Sequence, residues 1–215
     1  MAGPLPSVAV APPAYPPAYI AFEGPEGCGK STQARLLAEA IGAVLTRETG
    51  GTPIGARLRD ILHDVAVTDL DARAEALMIA ADRAQHMATV VRPALDAGRH
   101  VVSDRSVYST LAYQGYGRQL PLDDVRSVND WALRGTWPSL VVLLEVPVDV
   151  IARRMRHRDL DRFEREGNGF HERVAAGFCE MAAGDRGRWV LIDATAPVDE
   201  VASTVRSAVT ERLGL

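Results

Sequence analysis

Lys30 is the only lysine in a chain whose lysines and arginines together number 24, and it lies inside Gly24-Pro25-Glu26-Gly27-Cys28-Gly29-Lys30-Ser31. That octapeptide fits G-x-x-x-x-G-K-[ST]. In this pattern the glycines let backbone N–H groups approach phosphate oxygens, a slim ammonium reaches the β- and γ-phosphates, and a hydroxyl ligates Mg²⁺. Arginine can replace lysine on a surface at little cost, but its broad fork cannot act as a compact point charge lying along such a loop. Glycine-rich matches also arise by accident, so the flanking sequence decides. Ala18 to Phe22 is a short apolar run suited to a buried parallel strand, and from Ser31 to Ile41 the residues Ala34, Leu37, Ala38 and Ile41 share one helical face. Strand, loop and helix thus follow in the order that aims a helix N-terminus at an anion. Gly24 through Ser31, with Thr32, are the expected ATP-binding residues.

A second pair, Asp104-Arg105, ends another apolar run, His100 to Ser103. A carboxylate at such a strand tip supports the magnesium hydration shell of a P-loop enzyme, so Ser31 and Asp104 are the expected metal residues. Arg105 cannot serve the same ion. It can clamp a second phosphate facing ATP, which points to a phosphorylated acceptor rather than water; the plainer alternative is an Asp-Arg pair capping the next helix. The phosphate loop itself has no arginine to meet charge developing on a transferred phosphoryl group. Arg154, Arg156, Arg158 and Arg162 crowd one later segment and can meet it from there.

The elements that must position these groups alternate in type. Ala43 to Thr46 reads as a second strand, followed by a turn-rich Arg47 to Pro53 and a helix to about His63. A long helix is predicted from Asp71 to Asp96, carrying Leu77, Met78, Ala81, Met87 and Val91, bent near Pro93 and closed by Gly98. Helices over Ser106–Gln114 and Leu122–Arg134 lead to the strand Leu140–Leu144. Pro147 starts another helix, one from about Phe170 to Ala183 follows, and Trp189–Ile192 is the last strand before a final helix. This order predicts an α/β, three-layer P-loop NTPase fold: a doubly wound parallel sheet of five strands with helices on both faces and ligands at the strand carboxyl ends.

Composition sets the outer bounds. A chain of 215 residues, 47% hydrophobic, supports one domain, and a net charge of −4 argues against nucleic-acid binding while allowing an arginine-lined pocket for small anions. Cys28 and Cys179 make no disulfide framework, which fits a reducing cytoplasm. No apolar run reaches the roughly twenty residues of a membrane span. Residues 1–17, with six prolines, read as a flexible tail ahead of a domain over 18–215.

From Ala18 to the C-terminus the chain resembles the thymidylate kinase family, the nucleoside monophosphate kinases that make dTDP from dTMP and MgATP. The resemblance rests on Phe22-Glu23-Gly24-Pro25-Glu26-Gly27, Ala80-Ala81-Asp82-Arg83-Ala84-Gln85-His86, Leu111-Ala112-Tyr113-Gln114-Gly115-Tyr116-Gly117-Arg118 and Asp161-Arg162-Phe163-Glu164. It implies that Glu26 contacts the acceptor sugar, Arg59 and Arg105 hold its phosphate, and Glu48 lies near the magnesium and that phosphate. It also implies that Arg83 faces the base, Thr110 and Gln114 hydrogen-bond it, and Tyr113 selects deoxyribose. A mobile lid over about 153–166 is similar to that of bacterial members, with Arg154 beside adenine and Arg158 and Arg162 on the phosphates. A homodimer is implied as well. Lys30, Asp104, Arg105, Arg158 and Arg162 are then the catalytic set.

Four residues depart from the family pattern, and all four are expected around the acceptor. Thr49 stands where proline is usual, Ile79 where an aromatic residue stacks on thymine, Ser106 where tyrosine follows Asp-Arg, and Tyr108 where bacterial members often carry an acid. They leave open a relative acting on a modified or different pyrimidine deoxynucleotide. An ATP-binding regulator without transfer is the alternative of another class, because a phosphate loop alone does not define a kinase.

Overall fold

In this computed structural model, residues 16–156 and 160–215 are described; the expected proline-rich tail, up to Tyr15, and Arg158 lie outside them. Five parallel strands, β1 (Tyr19–Glu23), β2 (Val44–Arg47), β3 (Val101–Asp104), β4 (Leu140–Glu145) and β5 (Trp189–Asp193), form one sheet in the order β2-β3-β1-β4-β5. The doubly wound α/β expectation holds. Each strand runs one residue further than its apolar run and ends on a charged side chain: Glu23, Arg47, Asp104, Glu145 or Asp193. The ladder carries Arg47, Asp104, Glu145 and Asp193 to the carboxyl edge, where ligands bind in such sheets, while Glu23 stays fully buried there.

Side chains alternate between two cores because successive strand residues face opposite sides. Ile20, Phe22, Val102, Val142, Leu144 and Ile192 pack against helices α1 (Lys30–Ile41) and α9 (Val198–Leu213), whose buried residues include Leu37, Val205 and Val209. Tyr19, Val101, Val141, Leu143 and Trp189 pack on the other face, against Phe170, Val174 and Phe178 of α8 (Asn168–Gly184) and Leu133 of α6 (Leu122–Leu133). Order reverses between β1 and β3, so the loops leaving these two strands face each other across the switch-point crevice.

The long helix expected over Asp71–Asp96 is three pieces. Asp71 is its cap, its carboxylate accepting from Arg73 N at 2.8 Å, and α3 spans Ala72–His86. One wide π turn over Met87–Val91 then joins α4 (Arg92–Asp96), so the break precedes Pro93, whose ring cannot follow a regular turn. The buried face of α3 is also not the apolar one: Glu75, Asp82, Arg83 and His86 point inward with Ile79, while Leu77 is exposed. The helix expected over Ser106–Gln114 is likewise two pieces, α5 (Val107–Thr110) and a π-helical stretch Leu111–Gly117.

Candidate active site

The loop between β1 and α1 turns on glycines. Gly24, at φ 135°, passes so close to β4 that a Cβ would lie 2.6 Å from the Leu144 carbonyl oxygen, and Gly29, at φ 102°, opens α1 in a left-handed conformation. No side chain caps α1, so its first N–H groups and dipole face the loop. Lys30 is buried and donates from Nζ to the Pro25 carbonyl at 2.8 Å, which lays its ammonium along the loop. Ser31 and Thr32 are exposed on the first turn. Ser31 Oγ donates to Asp104 Oδ2 at 2.5 Å across the crevice, and Asp104 Oδ1 is buried with no partner among the described residues. From the opposite side Arg154, in α7 (Val148–Met155), reaches the carbonyls of Gly27 at 3.3 Å, Cys28 at 3.4 Å and Ala194 at 3.1 Å.

Beside this loop is an open cleft whose walls include Glu26, Glu48, Arg59, Ile79, Arg83, Arg105, Thr110, Tyr113 and Gln114. Every residue expected to contact the acceptor lines it, though Tyr108, expected around it, does not. Arg105, in a left-handed conformation at φ 72°, ion-pairs with Glu26, donates to Ser109 Oγ at 3.0 Å and lies 5.3 Å over the Tyr113 ring. Its loop is anchored from below by Glu23, which accepts from Ser106 Oγ at 2.7 Å and Ser109 Oγ at 2.6 Å. Burial pushes the Glu23 carboxyl up, with Arg105 and the two serines pulling it back. Arg59 reaches the Thr49 carbonyl at 3.2 Å and hydroxyl at 3.3 Å.

The centre of the cleft wall is a buried polar chain. Glu48 accepts from Arg83 Nε at 2.9 Å and Nη2 at 2.8 Å and meets His86 Nδ1 at 2.9 Å, while His86 Nε2 lies 2.6 Å from Thr46 Oγ1. Arg83 also donates to Thr110 Oγ1 at 3.0 Å and to Asn129 Oδ1. Glu48, expected near the magnesium and the acceptor phosphate, has its carboxylate engaged with Arg83 and His86, which gives the arginine buried in α3 its counter-ion. Gln114 donates from Nε2 to the buried Glu75 at 2.8 Å.

Residues 160–166 border the cleft, with Asp161 and Phe163 among its walls. Asp161 Oδ2 meets His63 Nδ1 at 2.7 Å, where α2 (Pro53–His63) ends, and Phe163 packs edge-on against His63 and Tyr113. Burial alone would raise the Asp161 carboxyl; hydrogen bonds from His63 and the Glu164 backbone outweigh it and hold it low. Arg162, expected on phosphate, here donates to Glu75 at 2.5 Å and to the Leu62 carbonyl at 2.8 Å. Of the four departures, Thr49, Ile79 and Ser106 line the cleft and Tyr108 does not. Tyr108 packs against Trp137 and Trp189 in the core beneath the sheet, with its hydroxyl accepting from Arg188 at 2.9 Å, because α5 turns it away from the crevice.

Reading the motifs alone missed His63, Glu75, Ser109, Leu62 and Phe163, which also form or support the cleft. Phe163 had a signal, since it stands inside Asp161-Arg162-Phe163-Glu164; Glu75 had none, being one acid among many.

The thymidylate kinase family profile matches residues 22–205. The thymidylate kinase of Trichlorobacter lovleyi is 43% identical over 209 residues, covering 92% of this chain and 99% of that protein. That of Nitratidesulfovibrio vulgaris is 44% identical, covering 91% and 93%. The crystal structure of thymidylate kinase from Ehrlichia chaffeensis superposes with a TM-score of 0.75 at 29% identity, over 90% of this chain and 98% of that one. These likenesses favour neither a divergent acceptor nor a regulator without transfer.

Proposed function

The chain belongs to the thymidylate kinase family, and on that premise we propose how its residues divide the work of passing the γ-phosphoryl group of ATP to dTMP. It is an ATP-dependent nucleoside monophosphate kinase. The observation that carries the division of labour is the ion pair between Glu26 of the phosphate loop and Arg105 of the cleft. It joins the two anion sites, so an acceptor phosphate held by Arg105 and Arg59 meets the γ-phosphate along the loop. The acceptor phosphate is itself the nucleophile and needs no general base; catalysis is positioning plus neutralisation of spreading charge. Lys30 leaves the Pro25 carbonyl for the phosphates. Arg83, Thr110 and Gln114 read the base, Glu26 meets the sugar, and Tyr113 walls its 2′ side.

Ser31 and Asp104 suit Mg²⁺: a hydroxyl and a carboxylate converge at 2.5 Å, and a second carboxylate oxygen is buried with no partner among the described residues. Few protein ligands and several water or phosphate oxygens are what this ion takes. Bound there, the ion would neutralise part of the charge on the triphosphate. Residues 153–166 act as a lid, with Arg154 at the adenine end, Arg158 and Arg162 brought to the phosphates on closure, and Phe163 and Asp161 over the acceptor. Among the described residues no helix is long and apolar enough to cross a membrane, which fits a cytoplasmic enzyme. Exposed Ile54 and Ile61 on α2 and Leu77 on α3 support a homodimer.

The test is ADP release with a panel of nucleoside monophosphates. dTMP should give the highest kcat/KM, and a 5-substituted dUMP surpassing it would favour the divergent acceptor. ADP release indifferent to every monophosphate would remove the kinase reading.

A further inference from the structure

Glu75 has no role in the division of labour above, yet it is fully buried and its two oxygens accept four hydrogen bonds. Oε1 accepts from Gln114 Nε2 at 2.8 Å and Arg118 Nε at 3.2 Å; Oε2 accepts from Arg118 Nη2 at 3.2 Å and Arg162 Nη2 at 2.5 Å. A buried carboxylate with two guanidiniums is held from several elements at once, and when Arg162 turns to the phosphates the two-pronged contact of Arg118 with both oxygens remains.

The consequence falls on Gln114. An amide side chain can present either its oxygen or its nitrogen to a ligand, and the two ends differ in sign: one accepts, the other donates. A carboxylate only accepts, so it fixes which end of the amide turns toward it. With Nε2 drawn to Glu75, Oε1 points the opposite way. Gln114 lines the acceptor cleft, and Oε1 accepts no hydrogen bond among the described residues without being one of the buried unpartnered atoms. Across the same cleft Arg83 can only donate.

We propose that Glu75 is a positioning residue for base specificity: it locks the Gln114 amide with its oxygen toward the cleft, where that oxygen accepts from a pyrimidine N3–H while Arg83 donates to the C4 carbonyl. Thymine and uracil match this order of acceptor and donor. Cytosine inverts both positions, with a bare N3 and a C4 amino group. An amide free to turn would meet cytosine half-way; an amide held by Glu75 cannot, and a site whose buried polar groups are left unpaired rejects the wrong ligand strongly.

This inference rests on the acceptor reading above, and its test separates the two. Steady-state kcat/KM is measured for dTMP and dCMP with the full chain and with Glu75→Gln, whose amide can accept or donate and so no longer dictates the orientation of Gln114. Wild type should prefer dTMP by at least about a hundredfold, and Glu75→Gln should lower that ratio at least about tenfold, through KM more than kcat. A folded variant in which both substrates fall equally would reduce Glu75 to a structural anchor and overturn the proposal. Wild type without dTMP turnover would instead overturn the acceptor reading. Should the variant not fold, the wild-type Gln114 side-chain NH₂ resonances, identified by their loss in Gln114→Leu, decide. Slow hydrogen exchange in the absence of substrate supports the lock, and exchange at the rate of an open glutamine overturns it.

Discussion

At the scale of single residues, the ATP side depends on one side chain with no substitute nearby. Lys30→Ala should fold, because the ammonium bonds a loop carbonyl rather than filling the core, and should lose at least about a hundredfold in kcat. Circular dichroism and turnover on the same preparation check both halves. Ile79 tests the acceptor side. It lines the cleft as an apolar contact without a π-face, with Phe163 supplying an aromatic edge from the covering segment. Ile79→Phe should raise kcat/KM for dTMP about tenfold, a stacking gain of about 1.4 kcal/mol; a fall would mean the ring overfills the cleft. Lys30 was legible in the sequence because motif spacing fixes its place, and Ile79 because the resemblance to the family implies one for it. Tyr108 was misplaced because spacing along a chain does not say toward which pole a short helix turns its side chain.

At the scale of elements, α3 explains where periodicity misleads. Leu77, one of the apolar residues it carries, is exposed, whereas the helix buries Glu75, Asp82, Arg83 and His86; Arg83 lines the cleft, and the others stand behind it bonded to neighbouring elements. A functional face inverts the usual amphipathic order, and only the partners on other elements, Glu48, Thr46 and Gln114, make the inversion possible. The Glu48–Arg83–His86 cluster gives a pH prediction. Burial by itself would raise the Glu48 carboxyl, but Arg83 and His86 outweigh it and hold it below its ordinary value. A lowered folded-state value means the stabilisation is fully present above the unfolded value of about 4.3 and is lost as pH falls through the folded one. Glu48→Gln leaves Arg83 buried without its counter-ion and should cost about 3 kcal/mol at pH 7. Its urea midpoint should then change less than that of the wild type between pH 6 and pH 3. Parallel pH curves would place the acid sensitivity elsewhere.

At the scale of the molecule, the two faces of α3 connect the cleft to the outer surface. Leu77, between Glu75 and Ile79, is more than half exposed, and so is Ile54 on the adjoining α2, with Ile61 nearly so. Exposed apolar side chains on neighbouring helices are a cost in a monomer and a gain when a second copy covers them. The chain should therefore sediment at about twice 23.2 kDa. Leu77→Glu puts a charge where the partner's apolar surface would sit, and it should shift the mass to that of one chain without touching the phosphate loop. The expected kinetic signature is asymmetric. Because α3 carries Glu75, Ile79 and Arg83 on its inner side, loosening its outer packing should lower kcat/KM for dTMP at least several-fold while KM for ATP changes little. A wild type already at monomer mass would remove the interface, and a monomeric variant with unaltered dTMP kinetics would leave α3 as a seam between copies with no influence on the cleft.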